Sequence, residues 1–241
     1  MTDLINCVDT SFSDHDDATL IRYAEQLESL LSHEEKMLHP PAEVIINSIK
    51  QGLAAMCFDD NNNLIGFCRL IPVLGRAQIN ANSWDETLPD IYELGTVIVA
   101  KEHRGKKHGK ELLMQLHNRF KDQLKRGEVL FMGTTTTIAM IGALKGVTSE
   151  ETSVHYQFIN PDEISYLGAS TCVCESHHPP YGTGIQISET CDNRTEQRSS
   201  IPVENATAEI MSSGKCVMFY SNVAVALEFQ RTMIQTFGEP T

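Results

Sequence analysis

Apolar β-branched residues run unbroken from Thr96 to Val99, a pattern that predicts a buried strand. Beyond a polar interval, Leu113, Leu116, Phe120 and Leu124 recur on one face at helical spacing, which predicts a helix over Glu111 to Leu124. Upstream, Asp17 to Leu31 and Pro41 to Gln51 read as two helices. Thr10-Ser11 and Asp14 offer start signals, and Pro40-Pro41 separates the two. Gly52 to Asp59 and Leu64 to Pro72 are strand-like runs around Asp59-Asp60-Asn61-Asn62-Asn63, a turn cluster, so they predict a hairpin. Downstream, Val129 to Gly133 reads as a strand and Thr136 to Leu144 as a helix capped by threonine. Lys215 to Ser221 then returns as a strand. Asn222 to Phe237 follows as an amphipathic helix with Val225, Leu227, Phe229, Met233 and Phe237 available for packing.

The interval between the strand at Thr96 and the helix at Glu111 holds two glycines and a run of cations. Five of the chain's 19 Lys and Arg residues, Lys101, Arg104, Lys106, Lys107 and Lys110, fall there. A helix that begins in such a loop offers unbonded amides and the positive end of its dipole to an anion, the means by which proteins hold phosphate or pyrophosphate. A solvated charged face is the plainer reading of a basic run. The order strand, glycine loop, helix favours the anion site. A Walker-type loop needs four residues between its glycines and a Ser or Thr after the lysine. Gly105 and Gly109 are three residues apart and Glu111 follows Lys110. The dinucleotide pattern G-x-G-x-x-G is absent.

What remains, Arg104-Gly105-Lys106-Lys107-His108-Gly109-Lys110 after Val99, resembles the pyrophosphate loop of the GNAT superfamily of N-acetyltransferases, whose pattern is Gln/Arg-x-x-Gly-x-Gly/Ala. Arg104 and Gly109 match its first and last positions, and Lys107 stands where the middle glycine is usual. The hairpin with Ile65-Gly66-Phe67 opening its second strand is similar to the one that precedes the cofactor strand in that superfamily. The likeness covers about residues 10 to 147. It implies an α/β (α+β) fold: a mixed, mostly antiparallel twisted sheet flanked by helices, here with a Cys/His-rich loop insert. The expected organisation is an acetyl-CoA-binding core over 1–150, the insert over 151–214, and a closing strand and C-terminal helix of the same domain over 215–241. The resemblance further implies that acetyl-CoA is the co-substrate. Backbone groups of Val97, Ile98 and Val99 would hold the pantetheine arm and thioester. Arg104, Gly105, Lys106, Lys107, His108, Gly109 and Lys110 would hold the pyrophosphate.

Acyl transfer to an amine requires removal of a proton from the amine, polarisation of the thioester carbonyl and departure of the thiolate, usually protonated. In the superfamily a carboxylate base often stands two to five residues upstream on the cofactor strand, and Glu93 occupies such a place. An exposed strand-end glutamate is its plainer reading. The superfamily's general acid, a tyrosine on the helix after the next strand, has no counterpart: Gly142 or Ala143 falls there. Tyr156 or Tyr220 offers a substitute, although each is more often a packing residue.

The region from Ser165 to Cys216 gathers Cys172, Cys174, Cys191 and Cys216 with His177-His178. Such a set has the ligands for one tetrahedral zinc, although C-x-C is a tight spacing and no C-x-x-C occurs. Buried free thiols are the alternative. Cys57 and Cys68 read as small core residues in the hairpin, and Cys7 as incidental. Apolar residues make up 41% of 241, enough for a substantial core. The net charge of -13 argues against nucleic-acid binding and suits a cationic acceptor. No apolar stretch is long enough to cross a bilayer, and the start lacks the features of a signal peptide, so a cytoplasmic protein is expected. The expected function is acetyl transfer to the amine of a small molecule, protein or peptide, with a homodimer possible. A catalytically silent CoA-binding or scaffold protein and a zinc-binding interaction module are the other readings.

Overall fold

The computed structural model describes residues 6–8, 15–34, 37, 39–74, 88–135, 138–148, 154–159, 201–202 and 217–237. These residues form a mixed, mostly antiparallel sheet flanked by helices. They divide into two compact units, Met1–Ile71 with Leu94–Arg119, and Pro72–Glu93 with Phe120–Thr241.

In the first unit, strand β1 (Asn6–Val8) pairs antiparallel with β2 (Ala54–Phe58), and β2 with β3 (Leu64–Leu74). The C-terminal half of β4 (Asp90–Val99) follows in the order, and the Ala100 amide donates to the Ile65 carbonyl at 2.8 Å. Helix α1 spans Asp17–Leu31 as its pattern predicts, and α2 spans Ala42–Lys50. The start signal of α1 is Asp16 rather than Thr10, Ser11 or Asp14: its carboxylate accepts from the Thr19 amide at 2.7 Å, and that bond holds its pKa below the usual range. The apolar stripes of both helices, with Leu20, Tyr23, Leu27, Ile45 and Ile49, bury against Met56, Phe58, Phe67 and Ile98 of the strands. The predicted turn cluster is real. The Asp59 carboxylate accepts the Asn61 and Asn63 amides at 3.0 and 2.8 Å, which closes the hairpin.

The predicted helix over Glu111 to Leu124 is two helices, α3 (His108–Arg119) and α4 (Lys121–Arg126). No Pro or Gly marks the break, so the periodicity reads through it. Packing supplies the reason. Arg119 donates to the carbonyls of Gly52 and Ala54, the latter at 2.9 Å, and fixes the end of α3 on β2. The Phe120 ring lies 5.6 Å from those of Tyr92 and Phe131, in the second unit. Cys57 departs from expectation in another way: it is disulfide-bonded, while Cys68 is a free buried thiol whose pKa burial pushes well up. Strand β1 carried no signal in the sequence pattern.

In the second unit, the N-terminal half of β4 pairs parallel with β5 (Val129–Thr135), through Asp90↔Val129 to Glu93↔Met132. The order continues with β8 (Val217–Tyr220), β6 (Gln157–Ile159) and β7 (Ile201–Pro202), all antiparallel to their neighbours. Helix α5 runs from Ile138 to Val147 and α6 from Val223 to Phe237. Leu88, Ile91, Leu130, Met132, Tyr220, Ala226 and Phe229 form this unit's core, which seats α6 on the sheet. Among the described residues no helix is long and apolar enough to cross a membrane.

Candidate functional site

Two constellations carry chemistry, one in each unit. The first is the segment that leaves β4. Thr96 sits inside the strand at φ 51°, a left-handed conformation rare for a β-branched residue, and its Oγ1 accepts from Arg69 Nε at 3.2 Å. Arg69 is itself buried. Backbone strain of this kind, of order 1–3 kcal/mol, persists only where surrounding contacts impose it, and it concentrates at functional sites. It falls immediately before Val97, Ile98 and Val99, the residues expected to face the thioester.

A 3-10 turn (Lys101–His103) then leads into the loop. Gly105 at φ 79° and Lys107 at φ 69° both take the left-handed region. Lys107 therefore adopts the conformation that the glycine usual at that position provides without strain. Helix α3 begins with the Glu111 amide donating to the Lys107 carbonyl at 3.1 Å. The amides of His108, Gly109 and Lys110 lie in its first turn and have no intrahelical acceptor. Lys101, Lys106, Lys107 and Lys110 have no acidic partner among the described residues, and the first three are exposed. Arg104 differs from them. It donates from Nε to the Val99 carbonyl at 2.9 Å and from its terminal nitrogen to the Glu34 carboxylate. His108 is buried, with Nδ1 at 2.9 Å from the Glu111 carboxylate and Nε2 unpartnered among the described residues. Deeper in α3, burial pulls the pKa of His117 down to about 4, and its Nδ1 donates to the Leu113 carbonyl.

The second constellation is a transverse row. Glu93 pairs with Met132, Met132 with Tyr220, and Tyr220 with Gln157. Residues paired across strands share a face, so Glu93 and Tyr220 stand on one side of the sheet, two strands apart. Glu93 is half-buried. Tyr220 is fully buried, its hydroxyl has no hydrogen-bond partner among the described residues, and burial pushes its pKa well up, so it holds its proton. Tyr156 is also fully buried and stacks edge-on to Phe219 at 5.6 Å. On α5, Gly142 is exposed and a Cβ there would meet nothing within 4 Å, so no tyrosine stands in the expected place. Sequence reasoning had no means of joining Tyr220 to Glu93, since only the sheet register brings positions so distant in the chain into one row.

Cys172, Cys174, Cys191 and Cys216 lie outside the described residues. Among the described residues no group of three or more His, Cys, Asp or Glu side chains could hold a metal.

With this geometry, the sequence model of the acetyltransferase (GNAT) family matches residues 21–140, from α1 through the start of α5, and through this stretch the chain belongs to that family. Among curated proteins nothing matches. Several solved structures are similar to parts of the chain. The GNAT acetyltransferase YhbS of Escherichia coli, in complex with CoA, is 15% identical over 54% of this chain and 62% of its own, with a TM-score of 0.32. The chain thus spans about three fifths of that protein's length. A GNAT-family acetyltransferase of Staphylococcus aureus is 14% identical over 91% of this chain and 99% of its own, at 0.42. NAA60 of Arabidopsis thaliana, bound to a bisubstrate analogue, is 15% identical over 58% and 79%, at 0.37.

Proposed function

We propose that the protein moves the acetyl group of acetyl-CoA to an amine of a small molecule or peptide. The observation that carries this reading is the loop from Gly105 to Lys110, where first-turn amides meet lysines that have no acidic partner among the described residues, at the start of α3. This is the arrangement a pyrophosphate needs. Backbone groups of Val97, Ile98 and Val99 engage the pantetheine arm and the thioester oxygen. Glu93 takes a proton from the acceptor amine, directly or through water, as its nitrogen bonds to the thioester carbon. The carbon–sulfur bond breaks and the thiolate leaves. Water protonates the departing thiolate in place of the missing tyrosine of α5. The acidic surface favours a cationic acceptor.

Acetyl-CoA at saturation should stabilise the fold by about 2–4 kcal/mol, read as a rise in melting temperature. Lys106→Glu with Lys110→Glu should abolish the rise without unfolding the free protein. An absent shift in the parent removes acetyl-CoA from the reading. A screen of amines with release of free thiol as the signal identifies the acceptor class. Binding without thiol release for any amine would favour the catalytically silent alternative.

A further inference from the structure

Among the five cations between Lys101 and Lys110, Arg104 is set apart by its contacts. Its guanidinium is committed within the protein, to the Val99 carbonyl at the end of β4 and to the Glu34 carboxylate in the linker after α1. Glu34 is itself well anchored. Its amide donates to the Leu31 carbonyl at 2.8 Å, its carbonyl accepts from the Met37 amide at 3.0 Å, and Met37 packs on the core beneath α1 and α2. The end of β4 is pinned in turn by the bond between Ala100 and Ile65 at 2.8 Å. A planar guanidinium with several donors in a fixed fork is suited to bridging two such acceptors at once, which an ammonium point charge is not.

We propose that Arg104 does not bind the phosphates of the cofactor but forms, with Glu34, a clasp that positions the loop, while Lys106, Lys110 and the first-turn amides of α3 make the contacts to the anion. The inference rests on the reading of the loop as an acetyl-CoA site and assigns its parts. Glu34 and Arg104 are positioning residues. The clasp ties the linker after α1 to the loop before α3, so the free loop already holds its two left-handed residues, Gly105 and Lys107, in the conformation that presents the amides. Pre-organisation of this kind improves affinity by lowering the ordering cost of binding.

The two roles open to Arg104 predict opposite signs for one substitution. If the guanidinium were a phosphate ligand, Glu34 would compete with the cofactor, and Glu34→Gln would tighten binding. As a clasp, Glu34→Gln weakens it. Calorimetric titration of the full chain with acetyl-CoA should show Kd raised roughly threefold to tenfold by Glu34→Gln and by Arg104→Gln alike, the range for a partly exposed ion pair that also orders a loop. The double variant Glu34→Gln with Arg104→Gln should bind little worse than either single variant, because both changes remove the same tie. KM for acetyl-CoA should rise in the single variants while kcat holds, a split that general destabilisation would not produce. Tighter binding by Glu34→Gln, or single-variant losses that add in full in the double variant, overturns the clasp. A parent protein that binds no acetyl-CoA overturns the reading of the loop itself, and the clasp's role with it.

Discussion

The arm from Leu94 to Arg119 and the row of Glu93, Met132 and Tyr220 differ in how the fold assembles them. The arm is built from consecutive residues. What it offers an anion is backbone amides, a left-handed turn and a run of lysines, so the order of the sequence is the order of the candidate site. The row draws on three strands that are neighbours only through the register of the sheet, and what it offers is side chains. Holding an anion tolerates local construction, because amides and lysines need only converge on a diffuse charge. Moving a proton requires a side chain held at a fixed distance from the reacting atom, which a rigid strand supplies more readily than a loop.

The arm's hold on the first unit gives the largest expected effect. His117 is buried in α3 and its pKa lies near 4 rather than 6.5. Above pH 6.5 both folded and unfolded chains carry it neutral, and the contribution to stability is complete. As pH falls from 6.5 towards 4, the unfolded chain takes up a proton that the folded one refuses, and stability drops by roughly 3 kcal/mol. Chemical denaturation at pH 7 and pH 4.5 should show this loss in the parent and a shallower one in His117→Leu. Parallel slopes in the two proteins would remove His117 as the cause.

The row is tested next. Glu93→Gln should lower turnover on the order of 10²-fold while leaving the acetyl-CoA affinity near the parent's, since the base acts in the chemical step alone. Equal rates at saturating acceptor would take Glu93 out of the mechanism. Tyr220→Phe should gain about 1 kcal/mol of stability, because the hydroxyl it removes is buried with no partner among the described residues. Turnover should stay near the parent's, since Tyr220 is enclosed in the core with Ile91, Met132 and Phe229. A fall of about tenfold would instead give the hydroxyl a part in the chemical step.

This division explains what could be read from the residues. Helix α1, the Asp59 turn and the strand–loop–helix around Arg104 each rest on local rules of spacing, turn chemistry and helix starts, and they stand where those rules put them. The break at Phe120 was illegible, because it is imposed by Arg119 reaching carbonyls of β2 and by aromatic contacts with Tyr92 and Phe131. Strand β1 is three residues long and owes its place to pairing with β2. The bond of Arg104 to Glu34 joins residues 70 positions apart and left no local trace. The sequence suggested five equivalent cations, and the fold distinguishes one of them.

The smallest expected effect bears on that same loop. Lys107 holds φ 69°, a conformation that costs a residue with a Cβ about 1 kcal/mol and costs glycine little. Lys107→Gly should therefore relieve strain in the folded state, against which the unfolded chain gains freedom, for a net change within roughly 0.5 kcal/mol. Binding separates the two parts of this residue. The variant keeps the amide and loses both a Cβ close to the anion and one positive charge. At low salt the lost charge should weaken acetyl-CoA binding. At several hundred millimolar salt, where an exposed lysine is largely screened, the variant should bind as well as the parent or better. Gly105→Ala supplies the contrast. A Cβ there meets nothing within 4 Å, so its cost is conformational alone, about 1 kcal/mol at φ 79° with no dependence on salt. If Lys107→Gly stayed weaker at every salt concentration, the lysine side chain would be a direct ligand of the phosphates alongside Lys106 and Lys110.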